Sequence, residues 1–159
     1  MIPDADTLRA KLVTLGTDPL IDVDPKWFPN PRGPEHVGAG VLVPFTSIEG
    51  RMHLLLTRRA RTLRNHAGEM SFPGGRRDPE DEGFLATALR EAREEVALVP
   101  EDVQIFGSLA KIPTLTGFLI HSFVGEFPSP YELVGEVAEI DRLHLISLEE
   151  LLAPGIHRT

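Results

Sequence analysis

Between Asp81 and Val96 the chain carries a helical pattern with two unlike faces, and the rest of the fold has to accommodate both. At about 100° per residue, Leu85, Leu89, Ala92 and Val96 fall within one sector of roughly 60°, while Glu91, Glu94 and Glu95 occupy another of roughly 100°. Asp81 is placed to cap the N-terminus. An apolar stripe of this kind needs a second layer to cover it. Like charges at helical spacing repel by about 0.2–0.5 kcal/mol per pair, so the acidic face calls for water or a cation.

Strands on either side of the helix supply the covering layer. VGAGVLVPF (Val37 to Phe45) and MHLLLT (Met52 to Thr57) read as strands joined by the turn SIEG. VQIFGSLAKI (Val103 to Ile112), GFLIHSFVGEF (Gly117 to Phe127) and LHLIS (Leu143 to Ser147) read as three more, the first two separated by the turn-like PTLTG. Ser147 and Glu150 form a capping box for a last helix that begins at Leu148. Near the start, Leu8, Leu12 and Leu15 follow Asp6 at helical spacing and Gly16 ends the run. The four prolines of DVDPKWFPNPRGP (Asp22 to Pro34) exclude regular structure there, so this segment is an arm laid over the domain, with Trp27 as its anchor. Strands around one long helix imply an α/β class with a mixed sheet covered by helices. Residues 1–34 are the N-terminal helix and arm, and 35–159 the domain proper.

The acids set the chemistry. Glu91 and Glu95, at i and i+4, project from one side with Glu94 beside them, an oxygen array that suits Mg²⁺ or Mn²⁺. With no cysteine in the chain, any metal must bind through oxygen or imidazole. His36, His53, His121, His144 and His157 are scattered without ligand spacing. Arg90 and Arg93 leave open the plainer alternative that the acids are only paired along the helix. The loop upstream, Arg58 to Pro79, is long and punctuated by Gly68, Pro73, Gly74, Gly75 and Pro79, and such loops are usually functional. In SFPGGRRDPED two glycines expose backbone carbonyls to a metal and backbone amides to a phosphate.

Charge and hydropathy exclude other classes. A formal charge of −8 argues against general nucleic-acid binding. No apolar run approaches the ~20 residues that span a bilayer, and MIPDADTLRA lacks the order of a signal peptide, so no membrane partner and a cytoplasmic location are expected. Six of the sixteen basic residues, Arg58, Arg59, Arg61, Arg64, Arg76 and Arg77, nevertheless lie within twenty positions just ahead of the acids.

The glycine loop and the acidic helix together resemble the Nudix box, with Arg90, Glu91, Ala92, Glu94, Glu95 and Leu98 in its later positions. Three departures are plain: the spacer from Gly75 to Arg90 is one residue longer than usual, the early Glu is Asp81 (or Glu82, counted back from Arg90), and the closing Gly is Ala97, which implies a helix end without the αL glycine. LLLTRRARTLRNHAGEMSFPGG (Leu54 to Gly75) is similar to the motif that marks the coenzyme A pyrophosphatase branch of Nudix hydrolases, a branch that also carries the longer box.

That resemblance implies an α/β/α sandwich with a central mixed β-sheet and hydrolysis of the diphosphate of coenzyme A or an acyl derivative to 3′,5′-ADP and a 4′-phosphopantetheine. It implies Mg²⁺ or Mn²⁺ on Glu91, Glu94 and Glu95, with the Gly75 or Gly74 carbonyl as a further ligand. Glu91, Glu94 and, from outside the box, Glu136 are the implied catalytic carboxylates, Glu132 and Glu139 being alternatives to Glu136. Arg90 is expected to hold the acids and the loop in place. A substrate with an additional 3′-phosphate calls for Arg58, Arg59, Arg64 and His66, with Glu69 either orienting His66 or approaching the metals and Gly74 admitting the phosphate. Asp141 stands where relatives carry a large apolar residue. Thr116, Gly117 and Phe118 resemble a substrate-side turn of the branch, or a plain β-turn. Rival readings are hydrolysis of another nucleoside diphosphate derivative, such as a nucleotide sugar or dinucleotide, and a catalytically silent binding module. The chain stops soon after the last helix begins, so a truncated or naturally short version is expected, and a homodimer using the proline-rich arm is a further expectation.

Overall fold

The computed structural model describes residues 4–15, 36–109, 111–114 and 116–155, without the side chains of 12–15. Strands β1 (Val37–Ile48) and β2 (Arg51–Arg59) form a hairpin closed by Glu49 and Gly50 alone. Both turn residues have positive φ, 51° and 75°, the twist that lets two strands reverse without splaying. The turn is therefore two residues, not SIEG, and β1 runs three residues past Phe45.

The sheet is mixed. Its order is β3 (Met70–Ser71), β2, β1, β7 (Phe118–Glu126), β5 (Gln104–Ser108), with β4 (Gly74–Arg76) on β1, β6 (Ile112–Pro113) on β7 and β8 (Ile140–Ser147) on β2. β1 and β7 pair in parallel from Val37↔Phe118 to Phe45↔Glu126, and every other pairing is antiparallel. The segment read as an unbroken loop thus contributes β3 and β4, and Arg58 and Arg59 belong to β2. The strand expected over Val103 to Ile112 is divided into β5 and β6.

Strand alternation separates two cores. Leu42 and Leu55 face α2 (Phe84–Val96) and pack with Ala88, Ala92, Val96, Leu98 and Phe127. Phe45, Met52 and Val124 face the other way, against Leu8 of α1 (Ala5–Leu15) and Leu148 of α3 (Leu148–Leu151). Helices on both faces of a mixed sheet make an α/β/α sandwich. Ser147 caps α3 with the reciprocal Ser147–Glu150 pair. Half-buried Arg9 of α1 grips Glu126 at the end of β7 with two donors.

α2 departs from expectation at both ends. It begins at Phe84, not at Asp81, and its N-cap is Gly83, which supplies no side-chain bond. Asp81 is not available as a cap because its carboxylate is engaged by Arg90 and Thr87. At the other end Ala97 takes the left-handed conformation (φ 59°, ψ 26°), its N–H donates to the Arg93 carbonyl, and the N–H of Leu98 donates to that of Ala92. The αL turn survives without glycine, at a cost of roughly 1 kcal/mol. Among the described residues no helix is long and apolar enough to cross a membrane. Trp27, the proline-rich arm, Gly16 and His157 lie outside the described residues, as do the side chains of Leu12 and Leu15.

Candidate active site

Glycine brings the acidic helix onto the sheet. A Cβ on Gly40 would meet the Phe84 carbonyl oxygen at 2.3 Å, and one on Gly38 would meet the Phe84 ring at 2.4 Å, so α2 rests on β1 where only hydrogen fits. Phe84 is further fixed by stacking on His121, with ring centroids 3.7 Å apart at 11°, and by the Arg77 guanidinium 5.3 Å from its centroid. β4 then lies along β1 with Gly75 opposite Gly40. A Cβ on Gly75 would stand 2.6 Å from the Glu91 carboxyl carbon, so the loop backbone is pressed directly against that carboxylate.

The three helical glutamates do not share one environment. Glu95 is buried, 5% exposed, and its carboxyl is pushed up to about 8 by burial first, then by the charges of Glu91 and Glu139, with Arg59 and the Gly74 backbone acting in the opposite sense. The Glu91 side chain is 16% exposed and also raised, again mainly by burial. Glu94 is 60% exposed and reaches only the edge of Arg90, at 3.3 Å. Glu95 lies on the sheet-facing side of α2 with Thr87, Ala88, Ala92 and Val96, a position that an acid tolerates only with compensating charge.

Arg90 joins the parts. Its Nε and Nη2 donate to the two oxygens of Asp81 at 3.0 Å each, Nη1 donates to Glu91 at 2.9 Å, and Nη2 also reaches the Arg76 carbonyl at 3.2 Å. Asp81 accepts in addition from the Asp78 amide and the Thr87 hydroxyl, and these donors hold its carboxyl well below the usual range, Arg90 foremost. One guanidinium thus ties α2, the loop after β4 and one acid of the pair.

The segment before β8 closes the far end. The N–H groups of Val134 and Glu136 donate to the carbonyls of Val96 and Glu95, at 3.1 and 2.8 Å. The Glu136 carboxylate, however, turns back to accept from the amides of Ala138 and Glu139. Glu139 is the acid of this segment whose charge acts on both Glu91 and Glu95. The sequence favours Glu136 over Glu132 and Glu139, and it holds no signal for separating a carboxylate that caps its own turn from one whose charge acts on the helical acids.

The basic residues divide in the same way. Arg58 is committed to Asp141 across a register shift between β2 and β8, which gives the unusual Asp141 a local partner. His66, at φ 54°, bonds Glu69 through Nδ1 at 2.8 Å, and both are exposed, as is Arg64. Of the four basic residues expected at the substrate, Arg59 is the one whose charge acts on Glu95.

Among the described residues no three acids or histidines form a ready metal cluster. The donors still fit a magnesium-type ion, which binds through one or two carboxylates and completes its shell with water and substrate oxygens. Glu95 and Glu91 are two such carboxylates, each raised by burial and therefore under-compensated as they stand. Glu94 stands apart from this pair.

An α/β/α sandwich whose acidic helix is seated on glycines and tied to its loop by a single arginine defines a recognisable class of small catalytic domains. The chain belongs to the NUDIX domain family, whose model matches residues 34–158. It is 43% identical over 115 residues to a protein of Photorhabdus laumondii described as an uncharacterized Nudix hydrolase NudL, covering 72% of this chain and 61% of that protein. A Yersinia pestis protein of the same description is 42% identical, covering 72% of this chain and 57% of its own length, so the chain spans about three fifths of these relatives. In fold it is similar to a C. elegans Ap4A hydrolase binary complex (TM-score 0.62, 20% identity, 71% of this chain and 82% of that one). It is also similar to the NUDIX domain of Shewanella oneidensis NrtR complexed with ADP ribose (TM-score 0.57, 22% identity, 82% of each).

Proposed function

We propose that the chain hydrolyses the diphosphate linkage of coenzyme A or an acyl-coenzyme A, with Mg²⁺ or Mn²⁺ held by Glu95 and Glu91. The observation that carries the reading is the buried Glu95, raised by burial and by Glu91, on a helix that faces the glycine strand Gly74–Arg76. A deeply placed acid pair with too little positive charge around it is what a resident divalent cation would complete. When bound, such an ion neutralises non-bridging phosphoryl oxygens and acidifies a coordinated water.

The chain's own groups have distinct tasks in this reading. Glu139 takes the proton from the attacking water, because its charge acts on both Glu91 and Glu95 while the carboxylate of Glu136 is spent on its own turn. Attack on one phosphorus breaks the P–O–P bridge, and the products are two phosphomonoesters, 3′,5′-ADP and (acyl-)4′-phosphopantetheine. Arg90 keeps Glu91 against Gly75, and Arg59 meets a phosphate oxygen. The likeness of Leu54–Gly75 to the coenzyme A branch supports the substrate, a likeness that includes Arg59, His66 and the glycines.

The test is incubation of the full chain with coenzyme A and Mg²⁺ or Mn²⁺, products resolved by mass, beside Glu95→Gln. Formation of 3′,5′-ADP by the wild type alone is expected. Cleavage of a nucleotide sugar or dinucleotide but not of coenzyme A would replace the substrate, and tight binding without turnover of any diphosphate would identify a binding module.

A further inference from the structure

Along β2, Leu55, Thr57 and Arg59 alternate onto the side of the sheet that α2 covers, since Leu55 packs with Ala88, Ala92 and Val96. The register shift between Arg58 and Arg59 leaves Asp141 as the odd residue of β8, and Arg58 pairs with it. Arg59 itself is clasped by its backbone: its N–H donates to the Glu69 carbonyl at 2.9 Å and its carbonyl accepts from Gly68 at 3.0 Å. Its side chain is not so provided for. Nε is buried and has no hydrogen-bond partner, although the residue's charge acts on Glu95. Among the described residues no ion pair joins Arg59 to Glu91, Glu95 or Glu139 at contact distance. β2 therefore brings a buried donor without a partner onto the side of the sheet that α2 covers, and the positive charge of that side chain acts on Glu95.

We propose that Arg59 is the resident counter-ion of Glu95, and that it restrains divalent-metal binding until a phosphate oxygen enters between its guanidinium and the ion. The inference rests on the metal and diphosphate reading above. A second cation on Glu95 is opposed by Arg59 as long as nothing anionic separates them, and a phosphoryl oxygen turns that repulsion into two attractions while giving Nε its missing acceptor. Metal and diphosphate then bind synergistically, each raising the affinity of the other by the same factor. Arg90, bonded to Asp81 and Glu91, cannot substitute, because its donors are already engaged.

The experiment is calorimetric titration of the chelator-stripped full chain with Mn²⁺, alone and with saturating methylenediphosphonate, a diphosphate that cannot be hydrolysed. Without the phosphonate, Arg59→Gln and Arg59→Met are expected to bind Mn²⁺ about three- to tenfold more tightly than wild type, the effect of removing one nearby positive charge at protein-surface screening. Arg59→Lys, which keeps the charge, should match wild type. The phosphonate should tighten Mn²⁺ binding in the wild type and far less in the two neutral variants. Unchanged or weaker Mn²⁺ affinity in folded Arg59→Gln and Arg59→Met, or undiminished synergy in them, overturns the proposal. Glu95→Gln separates the levels: Mn²⁺ binding that survives this substitution defeats the metal reading itself, whereas its loss beside an inert Arg59 substitution defeats only the counter-ion role.

Discussion

Arg90 and Asp81 meet fork to fork, Nε on Oδ1 and Nη2 on Oδ2, each at 3.0 Å, although nine positions separate them in the chain. The contact makes the loop before α2 and the second turn of α2 one rigid body, and Glu91 is attached to it through the remaining Nη1.

Breaking that fork should cost stability before it costs chemistry. Arg90 is a quarter exposed and Asp81 buried, so Asp81→Asn is expected to destabilise by about 2–3 kcal/mol, below the roughly 3–5 kcal/mol of a fully buried pair. Because the native carboxyl titrates below its unfolded value of about 4, the contribution is present above pH ~4 and is lost as pH falls below it. Urea melts should show a large difference between variant and wild type at pH 7, a still substantial one at pH 3, and a small one only as pH falls well below that, towards the native titration.

The pH dependence of Glu95 has the opposite sign. Its carboxyl is raised from 4.5 to about 8, so the protonated form stabilises the metal-free fold below pH ~4.5 and that stability is lost as pH rises through about 8. Thermal melts of chelator-treated protein should fall in Tm between pH 6 and 9, Glu95→Gln should flatten the trend, and Mg²⁺ should raise Tm most at the alkaline end. A wild-type Tm that is level across this range without metal would show that Glu95 is not held protonated.

Two glycines facing different atoms should fail differently. At Gly75 an added methyl meets only the end of the Glu91 side chain, whereas at Gly40 it meets the Phe84 carbonyl at 2.3 Å. Gly75→Ala is therefore expected to fold and to lose on the order of 10–100-fold in Mn²⁺ affinity, the range typical when a ligand's support is disturbed. Gly40→Ala should lower Tm sharply, since backbone cannot step aside.

The two candidate bases can be told apart by kcat. Glu139→Gln should lower kcat on the order of 10²-fold or more with little change in Tm, the usual reach of general-base catalysis. Glu136→Gln should keep kcat within a few-fold and cost about 1 kcal/mol through weaker acceptance from the Ala138 and Glu139 amides. The reverse pattern would return the base to Glu136.

Ala97→Gly supplies a test of backbone strain alone. With φ at 59°, glycine should stabilise the chain by about 1 kcal/mol, seen as a rise in Tm with kcat unaltered.

Sequence periodicity revealed the helix, the strands that cover it and the capping box at Ser147, because each depends on neighbours within a few residues. It could not show that Asp81 would leave its capping position for Arg90, since that choice is made by a contact nine residues away. Equally, i, i+4 spacing groups Glu91, Glu94 and Glu95 together, yet Glu94 is in water and Glu95 under the sheet. The boundary between the faces is set by how closely Gly38 and Gly40 let the helix approach β1, a distance no helical wheel contains. Arg58 and Arg59 look equivalent in a segment read as loop, but as successive residues of β2 they point to opposite faces of the sheet.

The parallel pairing of β1 with β7 bears on how the site comes into being. Arg59, Gly75, Arg90, Glu91 and Glu95 all lie on the chain between those two strands, inside a loop that cannot be closed by a local hairpin. Joining its ends is an entropically expensive, non-local event, so it falls late in folding. The contacts that assemble the site, of β2, β4 and α2 with β1, all lie inside that loop and need no residue of β7. A nascent chain still short of β7 can therefore already hold Arg59, Gly75, Arg90, Glu91 and Glu95 together, while Glu139, which follows β7, reaches them only after the sheet closes.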